Sequence, residues 1–196
     1  MIAALALTPI AYLLGTFPSA AMVARSKGVD ITAAGSGNPG ASNVARVLGT
    51  KWGVAVFVLD ALKGAIPAGA GLLVGSRPGA YVLAAAAVLG HMYPATRRFR
   101  GGKGVATIGG ALFVLHTLVS AAMLLGWLVV RRSTGKASLA SLAVAVAYPA
   151  TVAILGSPAW ELLAIVGLAL IVLLRHTANI RRLFGGNELA ASKRAP

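Results

Sequence analysis

The sequence predicts an all-α integral membrane protein of about seven transmembrane helices, and three observations carry that expectation. Only 11% of the 196 residues are charged and 58% are hydrophobic, whereas soluble domains carry roughly 25% charged residues. The apolar residues gather in runs near the ~20 that cross a bilayer as a helix. The charges between those runs are lopsided, 18 Lys and Arg against four acids.

The runs fall at 1–24, 52–76, 79–94, 105–130, 138–156 and 158–175. In the first, the apolar residues come before Arg25 and Lys27, the reverse of a signal peptide. A retained helix with its N-terminus outside is therefore expected. The connections at 76–78 and 156–158 are short and hold one basic residue, Arg77. Sixteen of the 18 basic residues lie in four other clusters. These are Arg25, Lys27, Arg46 and Lys51; then Arg97, Arg98, Arg100 and Lys103; then Arg131, Arg132 and Lys136; and a tail of Arg175, Arg181, Arg182, Lys193 and Arg194.

The positive-inside rule places all four clusters in the cytoplasm. A single crossing by 105–130 would put the second and third on opposite sides. The conflict disappears if that run is two short helices, about 105–116 and 118–131, breaking near His116-Thr117. Seven helical segments follow, with the C-terminus cytoplasmic, in a single domain of residues 1–196. The expected location is a cell (plasma) membrane, multi-pass, with the active site on the cytoplasmic face.

Three polar islands interrupt the apolar chain. "GSGNPGASNVARVLG", residues 35–49, matches G-x-G-x-x-G, but no strand precedes it, so a dinucleotide fingerprint is not supported. Its physical content is a glycine-rich turn whose N–H groups can converge on an anion, at the start of a helix from Ala41. Ser36, Asn38, Ser42 and Asn43 add donors, and Arg46 a forked contact; a plain turn-rich loop is the alternative. "GHMYPATRRFRGGKGVAT", residues 90–107, contains "GGKG" with Gly104 where a P-loop has Ser or Thr, so it is no magnesium-binding loop. Lys103, enclosed by glycines, suits a phosphate, while Arg97 and Arg98 suit lipid headgroups. In "HTANIRRLFGGNE", residues 176–188, His176, Asn179 and Arg182 fall at i, i+3, i+6 and can share a helix face. A weaker island, "STGKASLAS", offers Ser141. Asp60 and Lys63, three apart in an apolar run, read as a mutually neutralising pair.

Absences narrow the chemistry. Without cysteine, and with His91, His116 and His176 far apart, no metal site is expected, and no cofactor. No acidic pair serves glycosidase or magnesium-dependent phosphotransfer chemistry. An enzyme with this anion-binding, acid-poor surface needs a substrate already activated and phosphorylated. A transporter or channel for a small organic phosphate is the rival, although every polar island lies on one face. The expected partners are the bilayer and small phosphates, with no nucleic acid and no obligatory protein partner.

The three islands, in order and spacing, resemble the signature motifs of bacterial acyl-phosphate:glycerol-3-phosphate acyltransferases, and "LDALKG" at 59–64 is similar too. The resemblance implies a seven-helix membrane enzyme making 1-acyl-glycerol 3-phosphate from acyl phosphate. It implies that Ser36, Gly37, Asn38 and Gly40, with Gly101, Gly102 and Gly104, hold the donor phosphate. Asn43, Arg46, Lys103, Ser141 and His176 would hold glycerol 3-phosphate. Asn179, His176 and Lys103 would be catalytic, with His91, Arg100, Asp60 and Lys63 in support. The proton acceptor is His176, His91 or a substrate phosphate, the last preferred. Arg100 departs from the family's lysine, and Gly135 and Lys136 from its arginine and aromatic residue.

Overall fold

The computed structural model describes residues 1–74 and 76–190; Lys193 and Arg194 of the basic tail lie outside the described residues. Among these, the chain forms ten α-helices and no strand. Residues Met1–Leu115 make one compact unit, and the described residues from His116 to 190 make a second.

In the first unit, the opening apolar run is two helices, α1 (Ile2–Gly15) and α2 (Ser19–Arg25), rather than the single helix expected. The break sits at Thr16–Pro18, because Pro18 has no N–H to continue the ladder. Next come α3 (Ala41–Leu48), α4 (Thr50–Leu73), α5 (Arg77–Met92) and α6 (Val105–Leu115). The helices approach closely through glycines, the usual device where apolar surroundings offer no hydrophobic drive for helix pairing. A methyl on Gly64 would run into the Thr107 carbonyl of α6, and one on Gly110 into the Ala61 carbonyl of α4. Gly15 and Gly90 do the same for α1 against α5. Arg77, the lone cation of the short connections, donates to the Leu115 carbonyl at 2.9 Å and so caps the C-terminus of α6.

The second unit holds α7 (Thr117–Thr134), α8 (Ala137–Ile154), α9 (Ala159–Arg175) and α10 (Thr177–Phe184). The helix break falls at His116, where the charge parity required one. However, α7 runs 18 residues to Thr134 and is not the short helix expected. Gly135, at φ 68°, ends it in the left-handed conformation that favours glycine. Buried polar groups meet one another here: His116 Nε2 lies 3.1 Å from Glu161 Oε1, and Ser120 Oγ lies 2.8 Å from the Tyr148 hydroxyl. Each of these would be costly in an apolar interior if left unpaired.

Among the described residues, three helical stretches are long and apolar enough to cross a membrane, Ile2–Arg25 (α1 with α2) being one, or four if the bent pair α9–α10 counts as one span. Replacing Gly64 by Val forces α4 and α6 apart. The expected loss is ~1–3 kcal/mol, read as a several-degree fall in the melting temperature of detergent-purified protein. Gly69→Val, where a methyl meets open space, leaves it nearly unchanged.

Candidate functional site

The first polar island is a folded loop closed onto α3. Buried Asn43 organises it: its Nδ2 donates to the carbonyls of Ile31 (3.2 Å) and Ala34 (2.9 Å). Its Oδ1 accepts from the Ser36 N–H (2.8 Å) and from Arg46 Nη1 (3.2 Å). Val44, Ile31, Ala20, Ala24 and Val56 pin the loop from below. Asn43, 1% exposed, is held within the loop and aims Arg46.

The expected cradle of backbone N–H groups needs correction. Those of Ser36, Gly37 and Gly40 are spent within the loop, on Asn43 Oδ1, the Ala34 carbonyl and the Asn38 carbonyl. What the loop presents outward is side chains, with Ser36 exposed and Asn38 half-buried beside it. Gly35 and Gly37 are glycine because the turn requires φ of 61° and 69°. No side chain caps α3 at Gly40, so the positive end of that helix is open to an anion.

The second island is pressed onto the end of α5. Gly101, Gly102 and Gly104 are buried, and a methyl on each would overlap His91 or Met92. The Gly102 N–H donates to the His91 carbonyl at 3.1 Å. These glycines are therefore needed for close contact, and half-buried Lys103 is what the turn displays. Tyr12 ties the same segment to α1, donating to the Tyr93 carbonyl (2.8 Å) and accepting from the Ala95 N–H (3.0 Å).

Arg98 and Arg100 are exposed, as a headgroup contact requires, but Arg97 is half-buried and donates to the Thr16 carbonyl at 3.3 Å. Burial pushes its guanidinium below the ordinary arginine range, with the Asp60 carboxylate opposing that shift. A cavity of about 580 Å³ opens beside it, with Leu13, Phe17 and Ala21 on the apolar side and Arg25, Thr96 and Arg97 on the polar side.

Beneath the turn lies a buried cluster from four elements. Ser19 Oγ donates to Asp60 Oδ1 (2.6 Å), and Lys63 Nζ lies 2.6 Å from the same oxygen. Lys63 also donates to the Phe17 carbonyl, which lies in the α1–α2 break, at 2.7 Å, and approaches His91 Nδ1 at 3.5 Å. The expected Asp60–Lys63 pair is present, and it includes His91.

In the second unit, Ser141 is buried with its hydroxyl proton committed to the Ala137 carbonyl (2.9 Å), while accepting from Trp127 Nε1 (3.0 Å). The Ser141 hydroxyl is thus held between its own helix and Trp127. His176 is 2% exposed at the bend between α9 and α10, with Nδ1 2.8 Å from the Val172 carbonyl. A carbonyl only accepts, so Nδ1 is the nitrogen that donates here. The helix turns by 59° at this point, so the expected continuous face survives only for Asn179 and Arg182.

Both of those bind Glu188, a residue to which the sequence pattern assigned no role. Glu188 Oε1 accepts from Asn179 Nδ2 (2.6 Å) and Ser138 Oγ (2.7 Å), and Oε2 from Arg182 Nε (2.8 Å). Its side chain is 3% exposed. The available signal was its being the only acid in the third island. Burial works to raise its carboxyl, but the hydrogen bonds from Ser138, Asn179 and Arg182 and the Arg182 charge outweigh it, leaving the group below its usual 4.5. No cluster of metal-ligating side chains exists among the described residues.

Apolar helices punctuated by glycine-rich basic loops define the class as an integral membrane protein. The sequence profile of glycerol-3-phosphate acyltransferases matches residues 5–186, and the chain belongs to that family of membrane acyltransferases. It is 41% identical over 190 residues to the glycerol-3-phosphate acyltransferase of Aquifex aeolicus, covering 94% of this chain and 97% of that one. It is 42% identical over 192 residues to that of Thioalkalivibrio sulfidiphilus, covering 96% and 94%. Among solved structures it superposes on PlsY, an integral membrane glycerol 3-phosphate acyltransferase, in its glycerol 3-phosphate form. The TM-score is 0.91 at 39% identity, over 96% of this chain and 95% of that one. The lysophosphatidic acid form of PlsY gives a TM-score of 0.89 at the same identity and coverage. The protein is an acyltransferase, and the transporter alternative is set aside.

A lowered carboxyl stabilises the fold above its unfolded value, and that contribution is lost as pH falls through the folded one. The Glu188 contacts are therefore complete at neutral pH and fail in acid, below its usual 4.5. Glu188→Gln faces Arg182 with an N–H and costs ~1.5–3 kcal/mol at neutral pH. Melting temperatures across an acid titration check both, because the variant loses less than the parent as pH falls.

Proposed function

We propose that this protein transfers an acyl group from acyl phosphate to the 1-hydroxyl of glycerol 3-phosphate. The products are 1-acyl-sn-glycerol 3-phosphate and inorganic phosphate, and this is the first step of phospholipid biosynthesis. The observation that carries the reading is Lys103, held half-exposed on a turn whose glycines are locked onto α5. Family membership supplies glycerol 3-phosphate as the acceptor, and the chain's own residues argue for the donor. With no cysteine in the sequence, the chain has no thiolate to carry an acyl group. A donor activated as a mixed anhydride needs none.

In this reading, Ser36, Asn38 and the open end of α3 hold the donor phosphate, with Lys103 and Arg46 on the phosphate of glycerol 3-phosphate. His176, tied through Nδ1 to the Val172 carbonyl, also contributes to holding glycerol 3-phosphate. Asn179, fixed by Glu188, orients the hydroxyl or steadies the tetrahedral oxyanion. The hydroxyl oxygen attacks the carbonyl carbon, the bond from that carbon to the phosphate oxygen breaks, and phosphate leaves with the electron pair. The hydroxyl proton passes to a substrate phosphate. The acyl chain lies in contact with the bilayer. The whole chain acts as one domain of seven crossings in the plasma membrane, with the N-terminus outside, the C-terminus and the site cytoplasmic.

The deciding experiment is phosphate release by purified protein given palmitoyl phosphate and glycerol 3-phosphate. Release that requires both, with lysophosphatidic acid formed, is expected; equal activity with palmitoyl-CoA overturns the donor assignment. Lys103→Ala and Asn179→Ala are each expected to lower turnover at least ~100-fold in protein that still purifies as folded. Full activity in either removes its assigned role.

A further inference from the structure

The Asp60–Lys63–His91 cluster sits within the apolar helices, yet its last member touches the turn that displays Lys103. We propose that His91 is a positioning residue: its ring is the floor on which Gly101–Gly104 rests, and Lys63 and Asp60 hold that ring in place. The inference rests on the reading of this turn as a substrate-phosphate site and assigns the cluster a task within it.

Three observations converge. First, the cluster is fully inside the protein, with Asp60, Lys63, His91 and Ser19 exposed by only 3%, 4%, 5% and 1%. A single pair would satisfy the charges, yet four elements meet here. Lys63 spans from the Phe17 carbonyl (2.7 Å) through Asp60 (2.6 Å) to His91 Nδ1 (3.5 Å). His91 Nδ1 also lies 3.7 Å from Asp60 Oδ1, so Lys63 and Asp60 together meet one edge of the imidazole and fix its orientation.

Second, the other edge of that ring lies against the turn. The three atoms nearest to a methyl built on Gly102 are His91 Nε2, Cε1 and Cδ2, and the methyl would overlap the ring. Third, the same residue holds the turn through its backbone, its carbonyl accepting the Gly102 N–H at 3.1 Å. A methyl on Gly101 would meet that carbonyl too. The height and tilt of the turn, and so the reach of Lys103, are set by where the His91 ring lies. A cluster serving stability alone requires neither contact.

Because His91 acts through Gly102, the two positions must be coupled, and a double-mutant cycle on the purified full-length protein reads the coupling. Gly102→Ala, which collides with the ring, is expected to raise the KM for glycerol 3-phosphate about tenfold or more, with a smaller effect on kcat. His91→Ala, which removes the floor, raises the same KM. The double variant is expected to be no worse than the poorer single, because the methyl added at Gly102 then occupies the vacated space, a departure from additivity of about tenfold. Lys63→Met added to His91→Ala produces no further rise in KM.

Additive effects of Gly102→Ala and His91→Ala, or single variants that lose only kcat, overturn the proposal. Should His91→Ala fail to purify as folded protein, His91→Asn keeps an acceptor for Lys63 while removing the ring edge, and the same cycle applies. Parent activity separates the two claims. Failure of the parent to turn over acyl phosphate and glycerol 3-phosphate removes the functional reading. The cycle is then read as the glycerol 3-phosphate concentration that raises the melting temperature, where additivity still contradicts the floor. Normal parent turnover with additive variants removes only the role of His91.

Discussion

The first unit is organised around one carboxylate. Asp60 sits in the middle of α4, where an isolated charge costs roughly 2.5–3.5 kcal/mol at a bilayer centre. Its neutralisation recruits Lys63 one turn on and Ser19 from α2. Lys63 in turn takes the carbonyl that the α1–α2 break leaves at Phe17. The broken first helix and the buried charge thus solve each other's problem: one supplies a stranded acceptor, the other a stranded donor. Removing one member of such a set leaves a buried charge uncompensated, a larger loss than the pair was worth.

Above that cluster, the surplus of basic residues has a different character. In the two glycine-rich loops the N–H groups of Ser36, Gly37, Gly40 and Gly102 bond within the protein, on Asn43, the Ala34 and Asn38 carbonyls and the His91 carbonyl. Arg46 is aimed by Asn43 and Asn179 by Glu188, so these groups proposed to meet substrate are held by neighbouring side chains. Such fixed donors stabilise a developing oxyanion without reorganising during the reaction.

The features legible in the sequence are those that charge and hydropathy dictate. The break at His116 followed from the parity of the basic clusters, and the Asp60–Lys63 pair from their spacing on one helix. The break at Thr16–Pro18 was missed because an apolar run reads the same whether or not it is continuous. The bonds that Asn43 and Ser141 make within the protein were not legible, because a sequence shows that a side chain can donate but not which neighbours it meets. Glu188 escaped because helical spacing relates only residues on one helix, and it returns to Asn179 from beyond the end of α10. The glycines at 101, 102 and 104 were recognised as a turn, but their tight fit against His91 and Met92 becomes visible only once α5 is in place.

The proposed reaction is direct transfer, with no covalent bond to the protein at any stage. Isotope exchange tests this most directly. Purified protein is incubated with palmitoyl phosphate and radiolabelled inorganic phosphate, without glycerol 3-phosphate, and the acyl phosphate is assayed for label. Direct transfer predicts no exchange under conditions where added glycerol 3-phosphate gives full turnover. Label entering acyl phosphate at a rate comparable to turnover would reveal an acyl-enzyme intermediate and contradict the account.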